Sequence, residues 1–193
     1  MTIITQQMWD DKGNKLGTSG ELDLSNIAST RYCGSNNPPD LAPGEPDYRY
    51  PPINSLDQAA LKHDQAYDDA QVSGASGMLI SLKTLDADIE LTMSSLNIVK
   101  MYMMNEKDPV SKNEIGFEQA HAAGAVATLF SGMSMQKALR TGNNILINKV
   151  YEMTKSVKNT VSELSNGIEA TTNQQIDQQN EEEFKDENKV KYI

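Results

Sequence analysis

The sequence predicts a mainly α-helical chain, and three observations carry that reading. Apolar residues recur at helical spacing through Met78, Leu82, Leu85, Ile89, Met93 and Leu96, and again through Ile147, Val150, Val157, Val161 and Leu164. An Ala-rich run from Ala120 through Phe130 is apolar on nearly every side, as in a buried helix. Six of the seven prolines fall between residues 32 and 54, which excludes a helix or a central strand there and leaves an ordered loop.

The elements follow in order. Residues 1–30 hold a β-prone run from Thr2 to Trp9, a turn signal at Asp11-Lys12-Gly13-Asn14 and then polar sequence, so they read as a hairpin or arm. A first helix opens at Ser55, with Gln58 as its capping-box partner, and ends near Ser73-Gly74. Its alanines 59, 60, 66 and 70 flank His63 and Tyr67 and leave room for a neighbouring helix. A second helix spans Met78 to Met104, and the link Gly74-Ala75-Ser76-Gly77 permits an antiparallel pair. A third covers Phe117 to about Ser131, its Ala-rich run expected in the core in preference to a membrane-seeking segment, with His121 solvated or capping at its start. A fourth, from Asn144 to Leu164, carries a heptad-like seam that packs on its own domain, on a partner or on a second copy. From Ser165 onward the Gln-, Asn- and Glu-rich sequence predicts disorder. The expected organisation is therefore an arm (1–30), a core (31–104), a helical extension (105–164) and a polar tail (165–193).

Composition narrows the function classes. The chain of 193 residues can build one core with extensions, and its net charge of -10 lacks the basic footprint of a nucleic-acid binder. No segment approaches the roughly 20 apolar residues of a membrane span, and the N-terminus has no signal-peptide pattern, so export would need another route. One cysteine, Cys33, excludes an intramolecular disulfide framework and is expected as a small buried thiol.

The chemistry concentrates in Ala59-Ala60-Leu61-Lys62-His63-Asp64-Gln65-Ala66-Tyr67. Consecutive helical side chains diverge by about 100°, so His63 and Asp64 serve adjoining sites while Tyr67 shares the His63 face. One turn can thus set a general base beside a metal ligand. Upstream stand Tyr32-Cys33-Gly34-Ser35-Asn36-Asn37, Pro38-Pro39-Asp40 and Gly44-Glu45-Pro46.

In this order the motifs resemble the phospholipase A2 family, and most closely its parvoviral type in the unique region of the minor capsid protein. There the pattern is Tyr-x-Gly-x-Gly-Asn-Pro, then Gly-Glu-Pro, then Ser-Asp-Ala-Ala-x-x-His-Asp-x-Ala-Tyr. The resemblance runs from about Tyr32 to about Leu96. It implies a helix pair with a calcium loop, and a Ca2+-dependent hydrolysis of the sn-2 ester of membrane phospholipids. By position it implies His63 as the base, Tyr67 and Asp88 as the residues that order it, and calcium ligands from the carbonyls of Tyr32, Gly34 and Asn36 and the carboxylate of Asp64. Asn36 departs from the family, which has glycine there; asparagine tolerates the same positive φ.

Asp88 is nominated by the Ala87-Asp88-Ile89-Glu90-Leu91 match and is preferred to Asp86, although Asp86 lies nearer the centre of the stripe through Leu82, Ile89 and Met93. Asp68 and Asp69 read as a solvated face. The implied setting is a virion-associated protein that breaches a host membrane, or a bacterial or phage-borne toxin delivered by a secretion machine. The competing class is a non-enzymatic interaction protein on a decayed phospholipase scaffold, partnered through residues 144–164.

Overall fold

The computed structural model describes residues 30, 32–33, 40–42, 45–46, 48, 50–72 and 79–190, with the backbone alone for the two strands and for residues 168–190. Residues 1–29, the link at 74–77, Met78 and the loop positions Gly34 and Asn36 lie outside the described residues. The chain is mainly helical. Two short antiparallel strands, β1 (Asp40–Ala42) and β2 (Glu45–Pro46), precede α1 (Ser55–Asp69), α2 (Leu85–Met103), α3 (Phe117–Thr141) and α4 (Asn144–Val190). A single 3-10 turn, Leu82–Thr84, leads into α2. Each strand has only the other as neighbour among the described residues, so a strand-terminal proline at 46 is tolerated.

Helix α1 is capped by Asn54 rather than Ser55. Asn54 is extended, and its side chain accepts the Asp57 N–H at 2.9 Å. Ser55 instead gives its N–H and its hydroxyl, each at 2.9 Å, to Asp108. The side chains buried along α1 are Leu56, Asp57, Ala59, Ala60, His63 and Tyr67.

Helix α2 begins at Leu85, later than expected, and only part of the expected stripe turns inward. Leu85 and Leu96 are buried but Leu82 and Met93 are 47% and 49% exposed, and the buried face runs instead through Asp88, Thr92, Ser95 and Val99. The spacing of three and four is helical in both cases. What selects the second phase is that α2 packs against α1, α3 and α4, and that Asp88 finds partners only on the inner side.

Helix α3 continues ten residues past Ser131. The extension, Gly132-Met-Ser-Met-Gln-Lys-Ala-Leu-Arg-Thr141, is mostly strong helix former and ends where Gly142 takes a left-handed φ of 65°. Ala120, Ala122, Ala123 and Ala127 are buried, and a Cβ on Gly124 would lie 3.5 Å from Val161 and 3.8 Å from Val99. The small residues of α3 thus let it lie between α2 and α4. No described helix is long and apolar enough to cross a membrane. His121 is exposed, its ring 5.7 Å from that of Phe117.

The seam of α4 packs within the chain: Val150, Val157 and Leu164 are buried. The helix then runs on past Ser165 to Val190, with the backbone alone described beyond residue 167. Gln, Glu and Lys are good helix formers and no proline follows Pro109, so the polar composition does not stop the helix. One core joins all four helices, because Leu56, Val99, Ala123 and Leu164 belong to a single buried cluster. The segment 105–164 therefore shares the core of the segment that carries His63.

Asp108, fully buried between α2 and α3, fastens this core to the start of α1. Besides Ser55, it accepts the N–H groups of Val110 and Ser111 at 2.8 and 3.0 Å and the Gln119 amide at 2.6 Å. Burial alone would raise its pKa, but these hydrogen bonds outweigh burial and hold it below the ordinary carboxylate value. A lowered folded pKa adds stability above the unfolded pKa and loses it as pH falls through the folded value. Asp108→Ala should cost about 3 kcal/mol by leaving several donors unpaired, and Asp108→Asn should narrow the stability gap between neutrality and about pH 3, both read from urea midpoints.

Candidate active site

Helix α1 presents His63 and Tyr67 one turn apart, and their rings lie 4.3 Å apart between centroids. Helix α2 brings Asp88 to both. His63 Nε2 is 3.0 Å from Asp88 Oδ1, and the Tyr67 hydroxyl donates to the same oxygen at 2.7 Å. An ionised carboxylate only accepts, so Nε2 carries the proton and, on a neutral ring, Nδ1 is left with a free lone pair. Asp88 is fully buried and His63 is 7% exposed. Asp86 is exposed and lines, together with His63, the cleft between α1 and α2, whereas Asp88 is the carboxylate that holds the imidazole.

The second nitrogen faces Asp64, to which it donates when the ring is protonated. His63 Nδ1 lies 3.4 Å from Asp64 Oδ1, and the other carboxylate oxygen, Oδ2, is buried with no hydrogen-bond partner among the described residues. Burial pushes the Asp64 carboxyl up to about 6, against the lowering influence of His63. For His63, burial acts downward, but hydrogen bonds and charge from Asp64 and Asp88 outweigh it, leaving the imidazole above its ordinary value.

The loop start lies against the same helix. Tyr32 is buried, donates its N–H to Asp57 at 2.7 Å and gives its hydroxyl to the Tyr50 carbonyl at 2.5 Å. Tyr48 stacks on Tyr32 at 6.3 Å and donates its hydroxyl to Asp68. Cys33 is half-buried, and its thiol is pushed up to about 11 by burial and then by the charges of Asp64 and Asp57. Burial thus favours the protonated thiol. The start of the loop is held against α1 through Asp57.

A metal ion would find a usable donor here. The orphaned Asp64 oxygen is a hard, anionic ligand of the kind that calcium takes together with carbonyl oxygens. Among the described residues no cluster of three or more His, Cys, Asp or Glu side chains could hold an ion alone, so backbone oxygens would have to complete the site. Of the expected carbonyl donors, Tyr32 is placed beside α1, while Gly34 and Asn36 lie outside the described residues.

Helix α3 closes the site from the other side. Phe130 sets its ring edge-on to His63 at 4.7 Å. Lys137, fully buried, pairs with Asp88 Oδ2 at 2.5 Å. Neither residue is legible as functional from the motifs. Lys137 lies beyond the expected end of its helix, and nothing in the sequence separates it from Arg140 on the same helix. A cleft of about 250 Å³ between α1 and α2 is lined by Ala59, Lys62, His63, Asp86, Glu90 and Leu91 among others. Comparison with protein-family models, with curated proteins and with solved structures finds no match to this chain in any of the three.

Proposed function

We propose that the chain is a calcium-dependent phospholipase A2 that hydrolyses the sn-2 ester of membrane phospholipids, acting from a virion or as a delivered toxin. What carries the reading is that His63 and Tyr67 from one motif and Asp88 from another meet in one buried hydrogen-bonded group whose second ring nitrogen faces Asp64. His63 Nδ1 takes a proton from water as the water oxygen attacks the ester carbonyl. Asp88 and Tyr67 hold the ring in the tautomer that leaves Nδ1 unprotonated, and the imidazolium returns the proton to the departing glycerol oxygen. Calcium, held by Asp64 and the carbonyls of Tyr32, Gly34 and Asn36, would supply charge to polarise the carbonyl and balance the oxyanion. Exposed Leu79, Ile80 and Leu82 precede Lys83 on the rim of the cleft and suit contact with a lipid surface. The non-enzymatic scaffold has less footing, since the Val150, Val157 and Leu164 seam is filled within the chain.

The test is fatty-acid release from phospholipid vesicles with calcium and with a chelator. Calcium-dependent release is the expected result, and no release under either condition would overturn the reading. The metal has its own measurement. Calcium should raise the melting temperature and magnesium should do so poorly, because magnesium gives up water reluctantly. Asp64→Asn should lose most of that shift, and Asn36→Gly should enlarge it if asparagine sits strained at positive φ. The calcium shift should also shrink as pH falls through about 6, where the Asp64 carboxylate takes up its proton.

A further inference from the structure

We propose that Lys137 is a positioning residue for the His63–Asp88 pair, which makes α3 part of the reactive centre. The inference rests on the hydrolytic reading only for its kinetic arm. Lys137 Nζ donates to Asp88 Oδ2 at 2.5 Å, to Thr84 Oγ1 at 2.7 Å and to the Tyr67 hydroxyl at 3.1 Å. A lysine ammonium has three protons, so every donor is used and the head group has one orientation. The same ammonium lies 5.3 Å from the centre of the Tyr67 ring.

This arrangement divides the Asp88 carboxylate into two unlike ends. Oδ2 is taken by Lys137, while Oδ1 receives His63 and Tyr67. Without the lysine the two oxygens become equivalent, and rotation of the carboxylate would no longer be tied to the imidazole. Tyr67 is held at both sides of its hydroxyl, accepting from Lys137 and donating to Asp88.

Energetics favour an orienting role over a stabilising one. Burying a lysine and an aspartate is costly, and apolar residues of similar volume often serve stability as well or better. Both groups here are 0% exposed, and they stand next to the one buried histidine among the described residues. The contribution that an apolar pair could not make is a fixed, charge-balanced acceptor for His63 Nε2–H. A carboxylate buried without its cation would not keep that state cheaply.

The test uses the whole chain and Lys137→Met, with Lys137→Gln as the variant of similar length that keeps a donor should the first not fold. The readout independent of lipid is the downfield proton NMR signal of the hydrogen-bonded His63 ring N–H, assigned by its disappearance in His63→Gln. The expected result is a sharp signal in the wild-type protein and its loss or marked displacement in the folded lysine variant, with helical circular dichroism unchanged. The kinetic expectation is a fall in kcat of about 100-fold with KM within about twofold, as for a misplaced catalytic group. A folded variant that keeps the wild-type signal would overturn the proposal, and so would a wild-type protein without the signal. Because the signal needs no substrate, inactive wild-type protein would sink the phospholipase reading and leave this test standing.

Discussion

His63→Gln is expected to reduce release of fatty acid from vesicles by about a hundred- to ten-thousand-fold, the usual contribution of a general base. Glutamine suits the test better than alanine. It fills much of the imidazole volume beside Phe130 and Tyr67 and can still donate an N–H to Asp88, so the buried group keeps its hydrogen bond. What it lacks is a nitrogen that can accept a proton from water. The melting temperature should therefore fall little while turnover collapses. A folded variant with wild-type turnover would remove His63 from the mechanism.

Asp88→Asn should be severe in two respects, and Asp86→Asn in neither. Asparagine at 88 leaves the Lys137 ammonium buried without a counter-charge, a kind of loss that typically costs about 3–5 kcal/mol. It can also turn its amide toward His63 Nε2 and so favour the wrong tautomer, an effect that reaches about ten-thousand-fold in comparable triads. Asp86 is exposed on α2, where a neutral substitution falls within about 0.5 kcal/mol. Chemical denaturation and vesicle hydrolysis on the same two proteins check both statements. A stable, active Asp88→Asn protein would show that the buried group serves neither purpose.

The contrast between these two aspartates shows how far the sequence could be read. Helical periodicity placed two aspartates within reach of His63, but the apolar stripe that favoured Asp86 runs through Leu82 and Met93, which are about half exposed. Periodicity identifies a helix without stating which of two adjacent faces turns inward, and here satisfaction of Asp88 by three partners chose the phase. The residue placed against His63 is the one in the Ala-Asp match, which carries positional information that hydropathy lacks. The cap of α1 was misassigned for a related reason: Ser55 and Asn54 are both competent caps, and Asp108, 53 residues away, took Ser55 for itself.

Local sequence was enough for the helical class and for the place of α1 with His63 and Tyr67 on one face, and no helix occurs before Ser55 among the described residues. All of these rest on local rules of spacing and backbone preference. The tertiary structure alone decided that α3 reaches Thr141 and supplies Phe130 and Lys137 to the site, that the α4 seam is used within the chain, and that Asp57 and Asp108 tie loop and core to α1. Those outcomes depend on contacts between residues 25 to 70 positions apart, where a buried polar group settles on whichever distant partner satisfies it. A lone buried lysine has no motif of its own, and its meaning lies in the carboxylate it meets.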